Sequence, residues 1–260
     1  MLGVVDPAHA VSCGEVVGPG ERRVLTKNLT CDESPALIVE GPIVLDLRGL
    51  SITCTRTEAG ALRATGIQVT GSQAEIRKGK VKNCHRGLDV RGNGNHLIER
   101  LTVTSAAEAG GSDHMGFLVQ SDNNQLLRNI VRNYAGEGFR LDGADLATLK
   151  RNQAIGNADH GFRVRQGRGN VFWRNKAQGN QGEGFRSQDR DNRFEANTAL
   201  NNGDEGIRLR DAAARNSVVI DNFVKKNGRS PCDAVRETPD ANPGIAVTRG
   251  SGSNLISGNK

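Results

Sequence analysis

The sequence predicts an all-β chain coiled as a right-handed parallel β-helix, a solenoid of about nine rungs of about 22 residues with three short strands in each. Three observations predict it. A glycine followed by an apolar residue returns at a near-constant interval, strands of alternating polarity follow it, and asparagines recur one interval apart. The anchors are Gly66, Gly87, Gly116, Gly138, Gly161, Gly184, Gly206 and Gly244, spaced 21, 29, 22, 23, 23, 22 and 38 residues apart. Ala36, in "PALIVEG", stands where an earlier copy would put its glycine. A fixed period of this length marks stacked units that bury a core only against their neighbours.

Composition fits a narrow core: 36% of the 260 residues are hydrophobic, 3% are aromatic, and 33 are glycine. The net charge of +6 favours polyanionic partners such as anionic polysaccharide, nucleic acid or anionic lipid. No apolar run is long enough for a membrane span.

Residues 1–10 end in Ala8-His9-Ala10, a small-residue pattern like a signal-peptidase site, and read as a signal remnant or disordered tail. Residues 11–260 read as one β-helix domain. Within a repeat, Phe139-Arg140-Leu141-Asp142 and Ile207-Arg208-Leu209-Arg210 alternate apolar with polar, the pattern of a half-buried strand. Two further apolar patches follow each such strand, for example Val171-Phe172 and then Phe223-Val224 in a later copy. The anchor glycines read as tight corners. Phe117, Phe139, Phe162 and Phe185 share one inward position on successive rungs and are expected to stack. Asn170, Asn175 and Asn180 recur as Asn192, Asn197 and Asn202, the spacing of amide ladders at corners. Cys54 and Cys84 both lie 18 residues after their anchors, in one column of adjacent rungs. Strands about 4.8 Å apart allow a disulfide there, and two stacked buried thiols are the alternative.

This pattern, over residues of about 24–260, resembles the right-handed β-helix proteins of the pectin-lyase-like superfamily, with repeats like those of NosD-like proteins and mannuronan C5-epimerases. The resemblance implies a fold that hosts lyases, epimerases, hydrolases and binders, so it leaves the activity open. The Asp-Pro-His motif of alginate epimerases is absent; Asp6-Pro7 is followed by Ala8. The stretch from Cys13 to Cys31 resembles the disulfide-closed N-terminal cap of secreted β-helix proteins, which implies a cap at about 11–34 and an extracellular or periplasmic location. Cys232, in an inserted loop, is left unpaired or pairs with another molecule. His and Cys are not clustered as copper or zinc sites require.

The long intervals place insertions at about 55–64, 105–114 and 228–242, all just before an anchor and so at one corner. Repeat proteins concentrate function where insertions gather. Between the last two lies a trough of four uninserted rungs. Its floor carries Arg140, Arg163, Arg186 and Arg208 two residues after the anchors, with Glu137, His160, Glu183 and Glu205 immediately before them. Stacked arginines repel unless neutralised. Either the glutamates neutralise them in an exposed lattice that contributes little stability, or an anionic ligand lies along the axis, held by guanidinium forks.

His160, Arg163, Tyr134 and His114 are the candidate catalytic residues. A histidine base beside an arginine that holds a uronate carboxylate would suit β-elimination or C5 epimerisation. Asp142 with Asp145, and Asp189 with Asp191, offer oxygen ligands for Ca²⁺ without a full coordination set. Nucleic acid is disfavoured because the floor has no exposed aromatics for base stacking. The reading is thus a secreted protein acting on or binding an acidic polysaccharide, with a non-catalytic polyanion-binding or structural protein as the alternative and an enzyme of small anionic molecules a distant third.

Overall fold

Alternation sorts each repeat into inward apolar and outward polar side chains. The computed structural model describes residues 10–20, 22–55, 64–105, 113–228, 244–247 and 253–260. In it the strand Glu137–Asp142 buries Phe139 and Leu141 and belongs to a ten-stranded parallel sheet. Nine of these strands follow the repeat anchors, from Leu37–Glu40 to Ile245–Val247. The tenth, Glu15–Val17, comes from the segment expected as a cap and pairs Val17 with Val39. That segment forms a rung of its own, because Arg23–Val24 pairs with Ile43–Asp46 and Leu29–Cys31 with Ser51–Cys54.

The second and third strands of each rung stack in the same way. Thr148–Lys150 lies on Val171–Trp173 and then Arg193–Glu195, while Gln153–Ile155 lies on Lys176–Gln178 and then Thr198–Leu200. All pairings are parallel, and the described residues contain no helix. None could therefore cross a membrane as a long apolar helix.

Register carries the core. Phe117, Phe139, Phe162 and Phe185 stack with ring centroids 4.9, 4.8 and 4.8 Å apart, and Phe172 stacks on Phe194 at 4.8 Å. The two stacks meet edge-on at 6.1–6.5 Å, a favoured aromatic geometry. The anchor glycines do not turn the chain. A Cβ on Gly138 would meet Gly161 O at 2.6 Å, and one on Gly161 would meet Gly184 O at 2.7 Å. Close approach between rungs, rather than a tight corner, demands glycine there.

Asparagine ladders line the corners. Asn129, Asn152, Asn175, Asn197 and Asn222 form one, in which each Oδ1 from Asn152 onward accepts the previous asparagine's backbone N–H at 2.8 Å. Another runs through Asn157, Asn180, Asn202 and Asn227. Upstream in that corner the column holds the Cys54–Cys84 disulfide. Cys13–Cys31 is the second bridge. Cys232, Ala8, His9 and most of the three insertions lie outside the described residues, so the trough walls expected at 105–114 and 228–242 are not part of this description.

Candidate functional site

The outward column of the first sheet is built by exact register: Arg140 pairs with Arg163, Arg163 with Arg186 and Arg186 with Arg208. The residues before the anchors lie beside it and reach across rungs. Arg163 Nη1 donates to Glu137 Oε1 at 2.6 Å, and Arg208 Nη1 lies 3.6 Å from Glu183 Oε1. Within rungs, Arg186 Nη1 is 3.6 Å from Glu183 Oε1 and Arg208 Nη1 is 3.2 Å from Glu205 Oε1. Arg140 donates to Asp142 Oδ2 at 2.9 Å.

His160 interrupts this lattice. Arg186 Nη1 meets His160 Nε2 at 2.9 Å, where the neighbouring rungs offer a carboxylate. A guanidinium can only donate, so Nε2 accepts and the proton of the neutral ring sits on Nδ1. Nδ1 lies 2.6 Å from Glu183 Oε2 and 3.1 Å from Asp159 Oδ1. The contact to Glu183 Oε2 is close but bent, since that oxygen has no hydrogen bond of regular geometry. The Glu183 amide also points at Nδ1, at 3.2 Å; the carboxylate is the closer and charged partner and governs the ring. The remaining nitrogens of Arg163 donate to Gln188 Oε1 at 2.9 and 3.1 Å, a neutral acceptor.

Burial corrects the expectation of an exposed lattice. Arg140 and Arg186 are 8% and 9% exposed, and Glu137, Glu183 and Glu205 are at most 3%. Rungs 4.8 Å apart let each side chain roof the next, so these pairs are not the exposed kind that contributes little. Burial opposes the Glu183 charge, but the Nδ1–H of His160 and the Arg186 guanidinium favour it and hold its carboxyl at about 2. Burial lowers the Arg186 guanidinium from its ordinary value, against the pull of Glu183 and with the repulsion of Arg163, Arg210 and Arg208.

The structure thus gathers Glu137, Arg140, His160, Arg163, Glu183, Arg186, Glu205 and Arg208. It does not bring in the other two candidates. Tyr134 is 1% exposed, and its hydroxyl donates to Cys84 O at 2.6 Å inside the solenoid. Burial pushes its pKa far up, so it is no acid or base for this face. Its backbone amide donates to Asn157 Oδ1, so it occupies the place of a corner asparagine. His114 pairs with His85, Nε2 to Nδ1 at 3.1 Å, one column aside and before Gly136.

The Ca²⁺ pairs are not gathered either. Asp142 receives Arg140, Asp145 receives Arg168, Asp189 accepts backbone amides of Gly167 and Arg190, and Asp191 lies by Arg190. Asp159 and Gln188 were not singled out from the sequence. Asp159 directly precedes His160, and Gln188 follows its anchor by four, the position Asp142 has on its own rung. Beyond Gln188 lies an open depression of about 400 Å³, also lined by Arg165, Asp189 and Asp211.

A stacked parallel coil with a charged outward column defines the class, and the chain belongs to the right-handed β-helix family: the family model "Right handed beta helix region" matches residues 65–190 and 113–260. No curated protein matches it in sequence. Among solved structures, the Dettilon tailspike protein is similar at a TM-score of 0.69 and 15% identity, over 96% of this chain and 54% of that one. The chain therefore spans about half the tailspike's length. A mutant of the periplasmic alginate epimerase AlgG is similar at 0.60 and 13%, over 93% of this chain and 70% of that chain. The A-module of the Azotobacter vinelandii mannuronan C-5 epimerase AlgE4 is similar at 0.55 and 17%, over 95% and 79%. At these identities the likeness is one of fold, and it agrees with a right-handed parallel β-helix.

Proposed function

We propose that the protein is a secreted β-helix protein that holds an acidic polysaccharide along Arg140, Arg163, Arg186 and Arg208 and acts on it beside a carboxylate. The observation that carries this reading is the break in the lattice at His160: Arg186 reaches across the rung to an imidazole where Arg163 and Arg208 reach carboxylates, and the remaining nitrogens of Arg163 meet the neutral Gln188. A uronate carboxylate would complete both guanidinium shells with charge-assisted hydrogen bonds. Two disulfides fit an oxidising compartment. The alginate and mannuronan epimerases of like fold act on such chains.

The chemistry follows from the wiring. When Arg186 turns from His160 to the substrate carboxylate, the Nε2 lone pair is uncovered. Nε2 then takes the C5 proton, and the electron pair left at C5 delocalises into the carboxylate as an enolate that Arg163 and Arg186 stabilise. Glu183, already ionised, stabilises the imidazolium through Nδ1–H. Collapse of the enolate with loss of the O4 group gives an unsaturated sugar; return of a proton from the other face gives the C5 epimer. In the elimination the imidazolium returns its proton to the departing O4 oxygen; in the epimerisation the proton reaching the other face comes from water.

One observation favours the non-catalytic alternative. His160 is 6% exposed and Nε2 is occupied by Arg186, an arrangement that also serves as scaffold for a polyanion binder. The test is incubation with polymannuronate, polyguluronate and polygalacturonate in deuterated buffer. Ultraviolet absorbance reports unsaturated product, and NMR reports deuterium entering at C5. Turnover that vanishes in His160→Ala while binding persists supports the enzyme. Binding without turnover in wild type supports the alternative, and neither binding nor turnover overturns both.

A further inference from the structure

Each rung turns between its second and third strands through a residue in the left-handed backbone region. Five consecutive rungs place a cation there: Lys78 (φ 56°), Arg100 (56°), Arg128 (57°), Arg151 (57°) and Arg174 (55°). Register aligns them, since Arg77 pairs with Glu99, Glu99 with Leu127, Leu127 with Lys150 and Lys150 with Trp173, each one residue before the column. All five are exposed.

The turn itself does not ask for arginine. This conformation suits Gly and Asn, and the next corner obeys on four of these five rungs, with Asn83, Asn133, Gly156 and Gly179. The two corners share a backbone geometry and differ in side chain, so the cations serve something other than the turn. Nor are they neutralised. Arg100 lies 3.9 Å from Glu99, yet among the described residues no carboxylate pairs with Lys78, Arg128 or Arg151. The chain's one tryptophan, Trp173, holds Lys150 Nζ at 4.2 Å and the Arg174 guanidinium at 4.5 Å over its ring. Such contacts fix two cations of the ridge in place.

We propose that this ridge, on the vertex away from the first sheet, is a second binding surface for an acidic polysaccharide lying along the solenoid axis. Cations repeat once per rung, about every 4.8 Å, and a polyuronate chain carries one carboxylate per sugar, a comparable repeat. Nucleic acid matches less well, because phosphates follow one another about every 3.4 Å along a strand and the ring of Trp173 is covered by cations rather than free to stack on a base. The ridge begins on the rung of Gly66 and ends on that of Gly161, whereas the first-sheet column runs from the rung of Gly138 to that of Gly206. The surface is independent of the first-sheet reading and stands even if that column is scaffold.

The test is affinity electrophoresis of the full chain through gels containing polygalacturonate, neutral dextran or duplex DNA, for wild type and the Arg128→Asn/Arg151→Asn/Arg174→Asn variant. Asparagine is at home at these φ values, so an unchanged thermal midpoint is expected and verifies the fold. Polygalacturonate should retard wild type, and the asparagine variant about tenfold more weakly, with retardation falling as salt rises. The corresponding lysine variant should keep most of the effect, and Arg163→Ala should leave the ridge's share intact. Equal retardation of wild type and a folded asparagine variant overturns the proposal. So does retardation by duplex DNA with none by polygalacturonate. If the ridge binds while no polyuronate is turned over, only the first-sheet reading fails.

Discussion

Tyr134 and Glu183 illustrate how neighbours decide what a titratable side chain does. Tyr134 is sealed in the core with its hydroxyl on Cys84 O. Tyr134→Phe should therefore lower unfolding free energy by about 1–2 kcal/mol, the loss of one buried hydrogen bond, and leave any turnover of polyuronates unchanged; denaturant titration and the turnover assay check both. Glu183 is held at about 2 in the fold against 4.5 as its ordinary value. A depressed carboxylate stabilises above its unfolded pKa and loses that contribution as protons bind the folded state. Stability should accordingly fall between about pH 4.5 and 2, by about 3 kcal/mol at most, and Glu183→Gln should flatten the acid limb of a stability–pH profile. His96 adds to the acid loss. Burial lowers its pKa from 6.5, the Ala74 amide donates to Nδ1, and Nε2 meets Arg91 O. Its contribution falls away as pH drops below 6.5, before that of Glu183. Arg186→Ala should cost about 1–3 kcal/mol by leaving buried Glu183 and His160 short of a partner, read as a lower denaturant midpoint.

Among the elements, the ladders do what the short strands cannot. Three-residue strands such as Lys176–Gln178 have little length over which to specify register, and a one-residue slip would turn every phenylalanine outward. Asn175 opposes the slip on both sides: its N and Nδ2 donate to Asn197 Oδ1 of the following rung at 2.8 and 3.1 Å, and it also grips the preceding one. Its Oδ1 accepts from Asn152 N at 2.8 Å and from Asn152 Nδ2 at 3.1 Å, while its own Nδ2 donates to Leu149 O at 2.8 Å. Asn175→Ala should thus destabilise by about 2–4 kcal/mol, from several buried groups left unpaired at once. Phe162→Ala, which opens a cavity in the ring stack, should cost about 3–5 kcal/mol. Denaturant unfolding of both variants checks that a corner amide rivals a core ring. The repeat spacing and the inward phenylalanines are legible in the sequence because each is a one-dimensional pattern. Tyr134 in a ladder column is not, since its role depends on reaching back to Cys84.

For the whole molecule, stacking makes stability a sum over neighbouring rungs. The two disulfides close spans of 18 and 30 residues, both before Gly87. By loop-closure entropy each contributes about 3–4 kcal/mol. Reduction should lower stability chiefly in the N-terminal rungs, with hydrogen exchange quickening there first and the phenylalanine stack around Phe162 last. Overall protection that falls evenly along the chain would contradict this division.

The sequence by itself determined the period, the inward and outward faces, the column of arginines and the columns in which Cys54 and Cys84 meet. These follow from spacing, because in a solenoid one rung's position fixes the next. Only the tertiary structure decided which charges are buried and which groups touch. Arg163 reaches Glu137 across a rung, His160 faces Arg186 and lies between Glu183 and Asp159, and His114 turns to His85. Side chains of neighbouring rungs choose among several partners within a few ångströms, and burial weights that choice. Neither is encoded in the repeat.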